Sequence, residues 1–293
     1  MDSVAVVKEP HTKKNRDIFS KRIHEIDFAR GFLIILVLID HIMFCFQDYG
    51  IKWWGEGFWL YEAAHFYVHS YARDIIQPIC LMAFCFISGI SCAFSRNNRK
   101  RSIVALIIAV ALAALTNIGQ LILNANNVDS LIRIDLNIIA VLGICIFSYS
   151  FIDKLSWKAN LAVILFGFIV SSYINPIMRV TLLQQFGGIT SVRPGMNYGI
   201  EGTPKFYMPI FWEYPIVADI VPLFPYMMFF FSGTLFSYFV YKQNRKSLFP
   251  KRFNWERPVC FLGRHTMVIY LSHVVVIFGI FMLINFFITG AFL

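Results

Sequence analysis

Charge is what this sequence has least of. Of its 293 residues only 15% are Asp, Glu, Lys or Arg, against roughly a quarter in soluble domains. With 58% hydrophobic residues and a mean hydropathy of +0.63, a soluble globular enzyme is excluded. Cysteine is sparse and unpatterned: Cys45, Cys80, Cys85, Cys92, Cys145 and Cys260 show no CxxC spacing and lie in or beside apolar stretches. That argues against a zinc ribbon or a disulfide framework and fits small, buried, apolar side chains. No internal repeat, heptad run or low-complexity tract is present. Nor is a cleavable signal peptide evident, because the first apolar run is about 20 residues where a signal core has about 7–15, and no small-x-small site follows.

What the chain does have is apolar length. A helix crossing about 30 Å of hydrocarbon needs roughly 20 mostly apolar residues, since no water is there to satisfy its backbone groups. Seven stretches approach that length: Phe28–Gln47, Ile75–Phe94, Ile103–Leu123, Ile132–Ile152, Ala159–Ile177, Val217–Tyr241 and Thr266–Phe287. Pro176 closes the fifth early. The expected fold is all-α, a polytopic membrane helix bundle of about seven transmembrane helices. A basic cytoplasmic tail is expected over residues 1–26 and the membrane domain over 27–293.

Orientation follows from where the cations fall. Lys13, Lys14, Arg16, Lys21 and Arg22 precede the first span, and Arg96–Arg101, Lys154, Lys158 and the cluster from Lys242 to Arg264 fall on the same side. Only Lys52, Arg73, Arg133, Arg179, Arg193 and Lys205 fall opposite. The positive-inside rule places the N-terminus in the cytoplasm and the C-terminus outside. The net charge of +9 is then membrane electrostatics and lipid contact, with no nucleic-acid partner expected. Two outer loops are long. Residues 48–74 are dense in Trp and Tyr and predict a short interfacial helix capping the outer mouth. Residues 178–216 are rich in Gly and Pro.

Ionisable side chains at the bilayer centre cost at least about 2.5 kcal/mol and normally face the protein interior. At 100° per residue, Arg30 and His41 differ by about 20° in azimuth, and Asp27 and Asp48 fall within about 60° of the same line. These four residues are expected as one polar stripe, with His41 about 16 Å beyond Arg30 along the axis. His41 is either hydrogen-bonded to a neighbouring helix or a buried imidazole suited to general-base work. Asp40, about 100° around the helix, is harder to place, and a pairing with another helix is one way to accommodate it. In the last span Arg264 and His265 start at the cytoplasmic surface, and His273 lies about 12 Å deeper. Ser88, Gly89, Ser91 and Cys92 are small enough for close helix approach. Arg133 and Asp135 are expected to pair at the outer end of the fourth span, and Asp219, Pro222 and Pro225 to shape entry to the sixth. Glu62, His65 and His69 share a helical face, but no further ligand set stands beside them and no metal site is expected.

Four blocks in order carry a family resemblance: RIHEIDFARGFLIILVLIDH (22–41), FISGISCAFSRNNRKR (86–101), DIVPLFPYMMFFFSGTLF (219–236) and FLGRHTMVIYLSH (261–273). Together they resemble the prokaryotic membrane proteins related to heparan-α-glucosaminide N-acetyltransferase. That family opens with a pattern close to R-I-x-x-I-D-x-x-R-G, an apolar run, then His. Arg22, Ile23, Ile26, Asp27, Arg30, Gly31 and His41 match it. The chain departs where the family's fourth helix usually reads F-G-I-L-H (here RIDLN, 133–137) and where its last reads H-Q-P (here His273, Val274, Val275). The resemblance implies a multi-pass plasma-membrane acetyltransferase taking acetyl from cytoplasmic acetyl-CoA, its co-substrate, to an extracytoplasmic amino sugar or glycan acceptor. It implies His41, His65 and His273 as catalytic candidates, His65 being the nearer match to an outer-loop His implicated in the lysosomal relative. Arg22, Arg30, Arg99, Lys100 and Arg264 are the candidates for the polyanionic end of the coenzyme. A transporter and a non-catalytic scaffold stay as alternatives, and a homo-oligomer stays open.

Overall fold

The computed structural model describes residues 23–55, 57–95, 97–125, 134, 136–152, 156–174, 221, 223–241, 247–249 and 253–290. Arg22, Arg133, Asp135, Asp219, Pro222 and the loop 178–216 lie outside the described residues. Nine helices and no strand occur among the described residues.

α1 (His24–Trp54) runs well past the expected Gln47. Nothing in its sequence breaks a helix before Gly55 and Gly57, which take left-handed φ of 75° and 92° and turn the chain. α2 (Trp59–Val68) is the expected short helix in the aromatic loop. α3 (Tyr71–Ala93) starts four residues before Ile75 because Ser70 caps it, its Oγ accepting from the Arg73 N–H at 3.2 Å. α4 (Asn98–Ala125) draws Arg99, Lys100 and Arg101 into its first turns. α5 (Ile138–Ile152) is capped by Asn137, whose Oδ1 accepts from the Ala140 N–H at 2.9 Å. α6 (Trp157–Ile174) and α7 (Leu223–Val240) follow. α8 (Glu256–Arg264) is a helix where the sequence reads as a basic loop. α9 (Thr266–Thr289) stops at Gly290 with φ 76°.

Five helices are long and apolar enough to cross a membrane: α1, α3, α4, α7 and α9. The expected fourth and fifth spans are present as the apolar helices α5 and α6. The outward faces are greasy. Ile107, Val110, Leu115 and Leu121 of α4 and Val268, Val275 and Phe287 of α9 are all exposed. Apolar stripes of that extent are stable in lipid and not in water.

Two parallel helix pairs organise the bundle, each built on a glycine crossing. A Cβ on Gly31 would run into the Val259 carbonyl, and one on Gly263 into that of Asp27, so α1 and α8 touch backbone to backbone. Gly89 and Gly233 do the same for α3 and α7, against the carbonyls of Phe230 and Phe86. The small-residue cluster of the second apolar stretch thus makes the close approach its composition predicts. Hairpin neighbours complete the packing. Arg99 at the start of α4 lies 5.8 Å over Phe151 at the end of α5, and Trp157 at the start of α6 meets Phe239 at the end of α7 with ring centroids 5.4 Å apart. Phe94 after α3 meets Tyr241 after α7 at 5.6 Å. These contacts gather the starts of α1, α4, α6 and α8 and the ends of α3, α5 and α7 at one end of the bundle. Among the described residues, every Lys or Arg with an exposed side chain lies there: Arg99, Lys100, Arg101, Lys158, Arg257 and Arg264.

Candidate functional site

The chemistry-bearing residues meet on the seam between α1 and α9. His41, half-buried, and His273, buried, stand edge to face with ring centroids 4.7 Å apart and planes at 81°. Each ring is oriented by its own helix. Nδ1 of His41 donates to the Val37 carbonyl at 2.9 Å, and Nδ1 of His273 to the Tyr270 carbonyl at 2.6 Å. A carbonyl can only accept, so the proton of each neutral imidazole sits on Nδ1 and the lone pair on Nε2. Nε2 of His273 is buried and has no hydrogen-bond partner. Buried polar atoms are usually paired, and five other side-chain atoms among the described residues share this state. The two histidines read separately from the sequence are thus one paired site.

One residue before His41, Asp40 finds a partner on another helix. Arg73, in the first turn of α3, grips its carboxylate with two hydrogen bonds, Nε to Oδ1 at 2.7 Å and Nη2 to Oδ2 at 3.1 Å. Tyr67, near the end of α2, adds a third from its hydroxyl to Oδ1 at 3.1 Å. Burial, and then the Asp40 charge it faces, push the Tyr67 phenol up to about 12, so it serves as a donor at any working pH.

Beyond the histidines, away from the basic end, the α1/α9 seam closes over aromatic rings. Phe281 packs on Phe46 at 4.9 Å and stacks on Trp53 at 5.6 Å with planes at 16°. Cys45, Tyr49 and Ile277 fill the same cluster. Trp53 Nε1 then donates to Oδ1 of Asn285 at 2.7 Å. The sequence reading missed Asn285 and Trp53; the available signal was an amide near the far end of an otherwise apolar span, which needs a polar partner.

The remaining candidates separate. Asp27 is buried against α8, and Arg30 is half-buried one residue from the glycine crossing. Asp48 departs from the expected stripe and is exposed. The reason is the seam itself, which follows the i+4 row His41, Cys45, Tyr49, Trp53 and rotates away from the Asp48 azimuth by about 40° per step. His65 is exposed on α2, its ring against Tyr61 at 5.8 Å and His69 at 4.3 Å. Among the described residues no three ligand side chains converge as a metal site would require. Arg99 and Lys100 are exposed in the first turn of α4. Arg264 is exposed at the end of α8, its Nε bonded to the Cys260 carbonyl at 3.2 Å. Of the two departures from the family pattern in the last span, Val274 and Val275 both face outward, 37% and 74% exposed, so neither side chain lines the His41–His273 site.

The architecture defines a helical membrane protein whose paired imidazoles are carried on two parallel spans. A family model described as heparan-alpha-glucosaminide N-acetyltransferase, catalytic, matches residues 22–275, and the chain belongs to that family. It is therefore a membrane protein of an N-acetyltransferase family. No curated protein and no solved structure matches it.

Proposed function

We propose that the chain is a plasma-membrane acetyltransferase moving acetyl from cytoplasmic acetyl-CoA to the amine of an extracytoplasmic amino sugar or glycan. The observation that carries this reading is the His41–His273 pair, with both Nδ1 atoms tied down and the His273 Nε2 buried and unpartnered. An amine attacks a thioester only as the neutral species, so it needs a base at the moment of attack. Nε2 of His273 takes that proton while the amine nitrogen bonds to the acetyl carbonyl carbon. The C–S bond breaks, and the departing coenzyme A thiolate receives the proton back from Nε2. His41, edge to face with His273, is the second imidazole available to relay it. The carbonyls of Val37 and Tyr270 hold the rings in the tautomer this requires and favour the transient imidazolium through the Nδ1–H bonds.

The charge distribution supports the direction of transfer. Coenzyme A is polyanionic and stays out of hydrocarbon, so its phosphates belong at the basic end, with Arg30, Arg99, Lys100 and Arg264 as their partners there. Arg22 belongs with them by sequence. The uncharged arm bearing the thioester is the part that enters the bundle. His65, exposed on α2, is the candidate base on the acceptor side.

The test is transfer of labelled acetyl from acetyl-CoA to glucosamine in proteoliposomes. The expected result is transfer by the parent chain and its loss in His273→Ala and His41→Ala variants that keep native circular dichroism. Undiminished transfer in both variants removes the pair from the reaction. A parent chain that gains no thermal stability in millimolar acetyl-CoA favours the scaffold reading instead.

A further inference from the structure

The Asp40–Arg73 ion pair is expensive to bury and lies beside the histidines without joining them. Both side chains are only 18% exposed. The carboxylate takes its hydrogen bonds from two other helices, α2 and α3, while its own helix carries His41 as the next residue. Buried ion pairs are weak sources of stability, and their best-attested use is to fix one arrangement among several.

We propose that the Asp40–Arg73 pair, completed by Tyr67, is the positioning device that sets the rotation of α1 about its axis and so aims His41 at His273. This rests on the reading of that pair as the reacting site. The lever is short. Side-chain tips lie about 5–6 Å from a helix axis, so a rotation of about 20° carries an imidazole nitrogen about 2 Å. A misplacement of about 1 Å is enough to lower a rate about 100-fold. The glycine crossing at Gly31 and Gly263 sets how closely α1 approaches α8, ten residues before His41. Fork-and-carboxylate geometry resists rotation, because two parallel N–H···O bonds fix direction as well as distance. Tyr67 links the same carboxylate to α2, so the outer helix and the histidine site share one anchor.

The test uses the full chain in proteoliposomes. The Asp40→Asn/Arg73→Gln double variant removes both charges together and leaves neither buried and unpaired. Its melting temperature is expected to stay near that of the parent. Its kcat should fall about 30–100-fold, with KM for acetyl-CoA within about twofold. Arg73→Lys keeps the charge but loses the fork, and should fall between. A double variant with parental kcat overturns the proposal.

A second readout does not depend on acetyl transfer. Cys45 and Ile277 share one buried cluster on the α1/α9 seam, one helical turn from the histidines. In a background with the other five cysteines changed to Ala, Ile277→Cys is oxidised against native Cys45 with copper phenanthroline. Adding the double neutral change should slow cross-linking at least about fivefold, as α1 is freed to rotate. An unchanged rate overturns the positioning role whatever the transfer assay gives. Slower cross-linking in a chain whose parent transfers no acetyl supports the positioning role and defeats the catalytic reading alone.

Discussion

Trp53 and Asn285 are joined by a 2.7 Å hydrogen bond across 232 positions of sequence, and the same offset relates His41 to His273 and Gly31 to Gly263. The α8–α9 segment therefore runs parallel to α1 and in register with it, from the glycine crossing at the basic end to the amide at the other. Between Gly31 and Trp53 lie about 33 Å of helix, and the glycine, histidine and Trp–Asn contacts along it share that register.

Breaking the far end of the register should be costly in one direction only. Asn285→Leu leaves the Trp53 N–H unpaired in an apolar seam and is expected to destabilise the protein by about 1–3 kcal/mol. Trp53→Phe in the same chain removes the orphaned donor and should recover most of that loss. Unfolding in mixed detergent reads both variants, and equal stability of the single and double variants contradicts the account.

The glycine crossings predict a contrast between positions of the same residue type. Gly31→Ala or Gly263→Ala drives a methyl group into a neighbouring backbone carbonyl and should lower stability by about 1–3 kcal/mol. Gly279, also helical, has nothing within 4 Å of where its Cβ would sit. Gly279→Ala is expected to be neutral or up to about 1 kcal/mol stabilising. The same unfolding assay compares all three.

The basic end should act through binding and not through chemistry. Arg264→Ala or Arg99→Ala removes about 1 kcal/mol of surface attraction for a polyanion, close to a fivefold rise in KM for acetyl-CoA, and leaves kcat unchanged. The difference should shrink as salt is raised. Initial rates at two ionic strengths decide it.

Tyr67 supplies a pH signature outside the spans. Burial and the facing Asp40 raise its phenol from the ordinary 10 to about 12, so folding favours the protonated form. The stabilisation it contributes is complete below pH 10 and is lost as the pH rises through about 12. Absorbance titration of the phenolate, comparing the parent with Tyr67→Phe, should show the missing phenolate forming near pH 12. A missing component centred near 10 contradicts the buried hydrogen bond to Asp40.

Much of the fold was legible because hydrocarbon imposes a simple rule on composition. A single helix that spans lipid must be long and apolar, so seven apolar stretches could be read directly, and each has a helix in the structure. The cation asymmetry was equally local, and among the described residues the exposed Lys and Arg collect at one end. Helix ends were less legible. Whether α3 begins at Tyr71 or Ile75 depends on one serine hydroxyl, and α8 is hidden in a stretch where charge masks its amphipathic face.

The sequence alone determined that His41 and His273 each lie inside an apolar span and that Gly89 permits close packing. It carried no information on which spans adjoin. Only the tertiary structure decided that His41 faces His273 and that Arg73 is the partner of Asp40. It also decided that Asp48 is left outside the seam. The reason is physical: hydropathy and azimuth are properties of one helix, whereas a pairing depends on which helix lies alongside, in which direction and at what register.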